Sequence, residues 1–230
     1  AVGAACRERE VALHVDAVQS VGKLPSDVAT SGVALLSFCA HKLGGPKGVG
    51  ALYVRRRPRP ALQPLQFGGS HEGGLRPGTL ATHQIIGFGV ACELARAALD
   101  TEPARIRALR DRLWLALQAA APLWRNGAPE PSVPGILNIG FAGVEGESLL
   151  LELEGRLAVA SGAACSSATA EPSAVLRALG RSDLAIQASL RLSLGRETTA
   201  ADIDRAAAIL VAAVRRLRAA LPAGALERIA

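Results

Sequence analysis

Short apolar runs and longer segments of helical spacing alternate along the chain, the pattern of an α/β protein. Glu10–Val15, Val33–Leu36, Gly50–Val54, Gly135–Phe141, Leu157–Val159 and Leu190–Leu194 predict strands. Ala1–Arg9, Thr82–Leu99, Pro103–Ala121 and Glu145–Leu153 predict helices. A further helix starts with Pro172 in its first turn and stops at Gly180. The last helix runs from Thr199 to about Leu221, with Asp202 three residues after Thr199 as a capping-box partner. Pro25 to Gly32 is a short connection, and residues 55–80, rich in Gly, Pro and Gln, form a long loop. Asp100-Thr101-Glu102-Pro103 breaks the helical pattern and predicts a boundary between a domain of residues 1–99 and one of residues 100–230. The small residues from Ala160 to Thr169 can bury little surface and read as a mobile loop. No internal repeat is visible.

Composition narrows the class. At 230 residues, 50% hydrophobic and 20% charged, the chain has the make-up of one large or two small globular domains. The net charge of +6 does not point to nucleic acid, because the arginines are dispersed and aromatics are only 3%. The densest cluster, Arg55-Arg56-Arg57-Pro58-Arg59, is short and reads as a solvated loop. Cysteines 6, 39, 92 and 165 show neither CxxC pairing nor zinc-finger spacing, so no metal site is expected. Cys6 and Cys92 read as small hydrophobes. With no signal peptide or membrane-spanning run, a reducing cytoplasm is the default. The chain opens inside a helical pattern and contains no methionine, which reads as part of a longer chain.

Candidate chemistry concentrates between Ser37 and Gly50, where a glycine-rich turn after an apolar run carries His41 and Lys42. Lysines stand only at 23, 42 and 47, against a large excess of arginine. A lysine amine can lose its proton and condense with a carbonyl, which arginine cannot do. The plainer reading of Lys42 is a solvated loop residue. Asp16 closes the preceding apolar run, where α/β proteins place site chemistry; a helix N-cap is the alternative. A pyridoxal phosphate site needs a lysine for the Schiff base, a carboxylate for the pyridine nitrogen, donors for the phosphate and a guanidinium for the substrate carboxylate. Lys42, Asp16, the groups around the turn and Arg191 supply that set. Gly44 to Gly50 lacks the spacing that wraps a triphosphate.

Four separated blocks extend the picture: His14 to Pro25 with Ser37 to Val54; His71-Glu72 to Thr79; Ser161-Gly162-Ala163-Ala164-Cys165-Ser166-Ser167; and Ser189 to Arg196. Together they resemble cysteine desulfurases of the NifS/IscS type, over essentially the whole chain and in the family's order. The family's N-terminal part, somewhat under half of a full chain, has no counterpart here. The resemblance implies the fold-type I architecture of pyridoxal-phosphate enzymes. Residues 1–99 would form the later part of the large, mostly parallel cofactor domain. Residues 100–230 would form the small α+β domain with the catalytic cysteine loop. It implies a homodimer using pyridoxal 5'-phosphate, with Lys42 as the Schiff-base lysine, Asp16 on the pyridine nitrogen and Gln19 on the ring hydroxyl. Cys39, His41 and Thr79, the last from the second subunit, would hold the phosphate, and Arg191 the carboxylate of L-cysteine. Cys165, otherwise a small hydrophobe in an alanine-rich turn, would take the substrate's sulfur as a persulfide. It would then pass that sulfur to an iron–sulfur scaffold, with at most a transient cluster contact, or to a tRNA-thiolation protein. Neither nucleic acid nor membrane is contacted directly in this reading. Glu171-Pro172-Ser173 and Val175 to Gly180 resemble the NifS/IscS group rather than the shorter-loop SufS group. The departures are Cys39 for the family's common serine, Gly73-Gly74 after Glu72 where His-Glu-Arg-Gly is common, and Pro77 for serine. The competing expectations are a selenocysteine lyase or other fold-type I lyase, and a non-catalytic piece acting in dimerisation or scaffold binding.

Overall fold

In the computed structural model, which describes residues 1–161 and 172–221, Glu10 turns the chain before the first strand can begin. Its φ is +54°, and the following Val11 N–H donates back to Cys6 O at 2.9 Å, closing helix α1 (Val2–Glu8). Strand β1 therefore spans only His14–Asp16, the last two residues of the predicted Glu10–Val15 strand and the aspartate that follows it. The short connection after it contains one helical turn, α2 (Val28–Ser31), capped by the Asp27 carboxylate and ended by Gly32 at φ +77°. Strand β2 covers Leu35–Cys39, further along than Val33–Leu36, and β3 covers Gly50–Val54. β1 and β2 run parallel with Asp16 opposite Ser37, while β3 returns antiparallel with Gly50 opposite Cys39.

Alternation along these strands separates two faces. Val15, Leu36 and Phe38 join the apolar clusters, and the Phe38 ring meets Phe88 of helix α3 (Thr82–Ala98) edge-on at 5.3 Å. The opposite face carries His14, Asp16, Ser37, Cys39 and Leu52. This first compact unit spans Ala1–Glu102.

The second unit, Pro103–Ala230, is built on a four-stranded antiparallel sheet. Its elements are α4 (Glu102–Leu117), β4 (Leu123–Arg125), β5 (Ile136–Phe141), α5 (Gly146–Leu153), β6 (Ala160–Ser161), α6 (Ala174–Ala178), α7 (Asp183–Gln187), β7 (Ser189–Ser193) and α8 (Ala200–Ala219). The sheet order is β4-β5-β7-β6. Leu109, Leu113 and Leu117 of α4, Leu149 and Leu153 of α5, and Ile203, Leu210 and Val214 of α8 pack on Leu137, Ile139, Phe141, Leu190 and Leu192 of the sheet. Each such leucine or isoleucine contributes about 1.5–3 kcal/mol by leaving water.

Three sequence expectations shift here. The strand expected at Leu157–Val159 forms instead at Ala160–Ser161, where pairing with β7 fixes the register. Pro172 lies ahead of its helix; Ser173 is the N-cap, its Oγ accepting from Leu176 N, and Gly180 follows the helix end at φ +79°. Strand β4 and helix α7 had no apolar run to announce them. β4 is held by Trp124, whose indole lies so close over Gly140 that any β-carbon there would collide with the ring. The capping box at Thr199 and Asp202 forms with both reciprocal bonds.

Candidate functional site

Parallel pairing brings the carboxyl ends of β1 and β2 side by side. Ala17 N–H donates to Ser37 O at 2.8 Å, locking the two exits together. His14 Nε2 lies 3.2 Å from Ser37 Oγ, so His14, Asp16, Ser37 and Cys39 share one face. Asp16 accepts from Val18 N–H at 3.0 Å, and its carboxylate is otherwise exposed. No helix follows it directly: residues 18–23 form a chain of turns, so Asp16 closes a turn rather than capping a helix.

Lys42 sits in a single 3-10 turn, Ala40–Leu43, ended by Gly44 at φ +84°. Ala40 and Leu43 are buried while His41 and Lys42 face solvent. Helix α3 clamps the rest of the turn. A β-carbon on Gly45 would come 3.0 Å from Ala91 Cβ, one on Gly87 would come 2.7 Å from Pro46 Cγ, and Gln84 Nε2 donates to Lys47 O at 2.9 Å. The backbone under Lys42 is thus fixed, yet its amine makes no hydrogen bond or ion pair with any described residue. Cys39 Sγ lies 3.8 Å from His41 Nε2 at the mouth of the same turn.

The structure adds one residue to this group that the sequence did not mark as functional. Lys23 donates from Nζ to Gln19 Oε1 at 3.0 Å. Burial lowers the pKa of Lys23, and the nearby charge of Lys42 lowers it further; Cys39 acts in the opposite direction. Lys23 therefore belongs to the same neighbourhood as Lys42 and Cys39. The available signal was its position four residues after Gln19 in a chain with very few lysines.

Asp16, Gln19, Cys39, His41 and Lys42 are brought together in this way; Thr79 is not. It stands exposed in the long loop beyond a turn at His71–Gly74, where Arg76 Nη1 donates to Pro77 O and Gly78 O, both at 3.1 Å. Arg191 lies in the second unit, on the sheet face away from the helices, opposite Asn138 on one side and Ala160 on the other. Asn138 is engaged elsewhere, its Oδ1 accepting from Asn126 Nδ2 at 2.7 Å, while Asn126 Nδ2 also reaches Ser189 Oγ at 2.9 Å. Arg191 Nε is buried and has no partner among the described residues. A guanidinium nitrogen kept from water without an acceptor is costly unless a ligand supplies one. Cys165 lies outside the described residues, in the segment that follows β6.

Known proteins resemble this chain in sequence and in fold. The aminotransferase class-V family model matches residues 1–206. "Cysteine desulfurase IscS" of Aeromonas hydrophila is 52% identical over 222 residues, covering 96% of this chain and 55% of that protein. A solved structure described as "NIFS-LIKE PROTEIN" superposes with a TM-score of 0.78 at 31% identity, over 91% of this chain and 53% of the other. Another, "SspA in complex with cysteine", gives 0.67 at 32% identity, over 84% of this chain and 53% of the other. The chain spans about half the length of the curated relatives it matches.

Proposed function

The chain belongs to the aminotransferase class-V family, and from that membership we propose that it forms the lysine- and cysteine-bearing part of a pyridoxal-phosphate-dependent cysteine desulfurase. The observation that carries the proposal is the seating of Asp16 and Lys42 at adjacent parallel strand ends, with an exposed carboxylate and an uncommitted amine on a rigid turn.

The side chains fit the cofactor. When bound, pyridoxal phosphate supplies an electron sink for negative charge at the substrate's α-carbon. Lys42 would hold the cofactor through Nζ, and the same amine would serve as the proton carrier at the substrate's α-carbon. The Asp16 carboxylate would keep the pyridine nitrogen protonated, and Gln19 would donate to the ring oxygen. Cys39 and His41, with Thr79 from a second subunit, would hold the phosphate. A thiol is a weaker donor than a hydroxyl, so Cys39 makes this hold looser than serine would. Arg191, with its unsatisfied Nε, takes the carboxylate of L-cysteine. The thiolate of Cys165 attacks the substrate's sulfur: an S–S bond forms, the C–S bond breaks, and its electron pair stays on the carbon that leaves as L-alanine.

In this reading residues 1–99 belong to the cofactor domain and residues 100–230 to the small domain. The protein works as a cytoplasmic homodimer that passes sulfur to an iron–sulfur scaffold or a tRNA-thiolation protein. No described helix is long and apolar enough to cross a membrane.

The test uses the protein as its gene encodes it, loaded with pyridoxal 5'-phosphate and given L-cysteine and a thiol reductant. Alanine and sulfide are expected in equal amounts, and Cys165→Ala is expected to lower sulfide release at least 100-fold. Equal rates from parent and variant would overturn the assignment of Cys165 and favour a lyase. Release from selenocysteine alone would favour a selenocysteine lyase. No absorption band from bound cofactor would favour a non-catalytic role.

A further inference from the structure

We propose that Lys23 is a positioning residue for the cofactor ring, acting through Gln19; this rests on the reading of the site given above. Gly22 starts the argument. Its φ is +73°, and a β-carbon there would come 2.5 Å from Leu43 Cδ2 and 3.0 Å from Ala95 Cβ. The turn after β1 therefore presses directly onto the turn that bears Lys42 and onto α3. That close approach seats Lys23, the next residue, against the base of the Lys42-bearing turn, and its half-buried amine finds Gln19 Oε1 at 3.0 Å.

A carboxamide can face a ligand with either its oxygen or its nitrogen, and the two ends differ little in shape. An ammonium group has only donors. Once Lys23 Nζ donates to Oε1, the amide is turned so that Nε2 and its two hydrogens are left over. Gln19 is exposed and makes no other hydrogen bond among the described residues, so those donors remain free. The ring oxygen of pyridoxal phosphate is an acceptor when ionised, and an amide held in this orientation meets it with a donor. Without Lys23 the amide rotates, and part of the population presents Oε1 to that oxygen, a repulsive contact. Lys23 thus confers a preference that Gln19 alone does not have.

The test is a double-mutant cycle on the encoded protein. Cofactor affinity is measured by equilibrium titration, with the wavelength of the bound-cofactor band as a second readout. Lys23→Met is expected to weaken binding about tenfold and move the band, as expected for a lost charge-assisted hydrogen bond. Lys23→Arg, which keeps a donor, is expected to restore most of both. In a Gln19→Ala background, Lys23→Met is expected to have almost no further effect. Melting of the cofactor-free proteins checks that the variants are folded. Should Lys23→Met cost the same factor with and without Gln19, the lysine acts on the cofactor directly or on the fold, and the inference is wrong while the site stands. Should the folded parent bind no cofactor at all, the reading of the site and this inference fall together.

Discussion

The two units spend their apolar residues differently. In the second, one contiguous core joins α4, α5 and α8 to a single face of the sheet, and Leu149, Leu153, Leu190 and Leu210 are fully buried. In the first, burial is divided between two small clusters, one centred on Leu36 and one on Ala40, Leu43 and Phe88. The other face of its sheet holds His14, Asp16, Ser37 and Cys39, polar side chains that join neither cluster. The second unit keeps its polar face occupied by a hydrogen-bonded set, Trp124, Asn126, Asn138 and Ser189, with the buried Nε of Arg191 left over. A reactive surface with uncommitted groups needs a small, firmly clamped support, and the Gly45 and Pro46 contacts to α3 provide it. Among the described residues of the second unit, the buried Arg191 Nε is the polar side-chain atom without a partner, and the rest of that unit is organised around its core.

The sharpest way to break this contrast is Lys42→Ala. The residue is exposed and makes no hydrogen bond or ion pair with described residues, so stability should change by no more than about 0.5 kcal/mol. On the proposed function, alanine formation from cysteine should fall by about 10³-fold or more, because the variant lacks the amine assigned to the cofactor. Assay and melting curve on the same preparation check both halves. A large loss of stability would mean that Lys42 supports the fold, and the distinction between chemistry and packing would collapse.

A core substitution sharpens the same contrast from the other side. Leu149→Ala removes a fully buried side chain from the larger core and should cost about 3 kcal/mol. Leu52→Ala, on the open face of the first sheet where the side chain is 49% exposed, should cost less than about 0.5 kcal/mol. Both tryptophans, Trp114 and Trp124, lie in the second unit, and the single tyrosine, Tyr53, lies in the first. Urea unfolding followed by tryptophan fluorescence should therefore register the Leu149 change directly. An equal shift for both variants would show that the open face is buried in the working protein.

Much of this was legible in the letters, and the exceptions have physical causes. Gly50–Val54 and the long helices were fixed by their own periodicity, and Thr199 with Asp202 announced the start of α8. β1 begins four residues later than expected because the chain turns at Glu10, at positive φ, and Val11 N–H bonds back to the helix end, which no apolar pattern records. β6 moved because its register is set by Arg191 and Leu190, far away in sequence. β4 and α7 are three and five residues long, and each depends on a tertiary contact or a cap rather than a run. Within the site, Asp16, Cys39, His41 and Lys42 could be gathered from order and spacing. Lys23 left only a faint signal, its spacing from Gln19 in a chain with few lysines, because what seats it is the close approach of Gly22 to Leu43.

The mildest probe of the contrast is acid. Among the described residues of the second unit, Glu130, Asp202 and Asp204 have pKa values held below the usual carboxylate range. Glu130 is lowered chiefly by a hydrogen bond from buried Arg110 and also by Arg107; Asp202 by hydrogen bonds from the Thr199 side chain and backbone; and Asp204 by the Arg112 guanidinium. A lowered folded-state pKa means the unfolded chain binds more protons over the interval between the two values. The stabilisation is therefore complete above the ordinary carboxylate pKa, about 4 to 4.5, and is lost as pH falls through the folded values. All three groups are well exposed, so the effect is small and salt weakens it. The urea midpoint by tryptophan fluorescence should stay level from neutral pH down to about pH 5 and decline below about pH 4. Glu130→Gln should start lower and decline less steeply, because its share of the titration has been removed. A midpoint that rises on acidification, or a Glu130→Gln protein with the parent's slope, would mean that these pairs do not hold the second unit and that its apolar core acts alone.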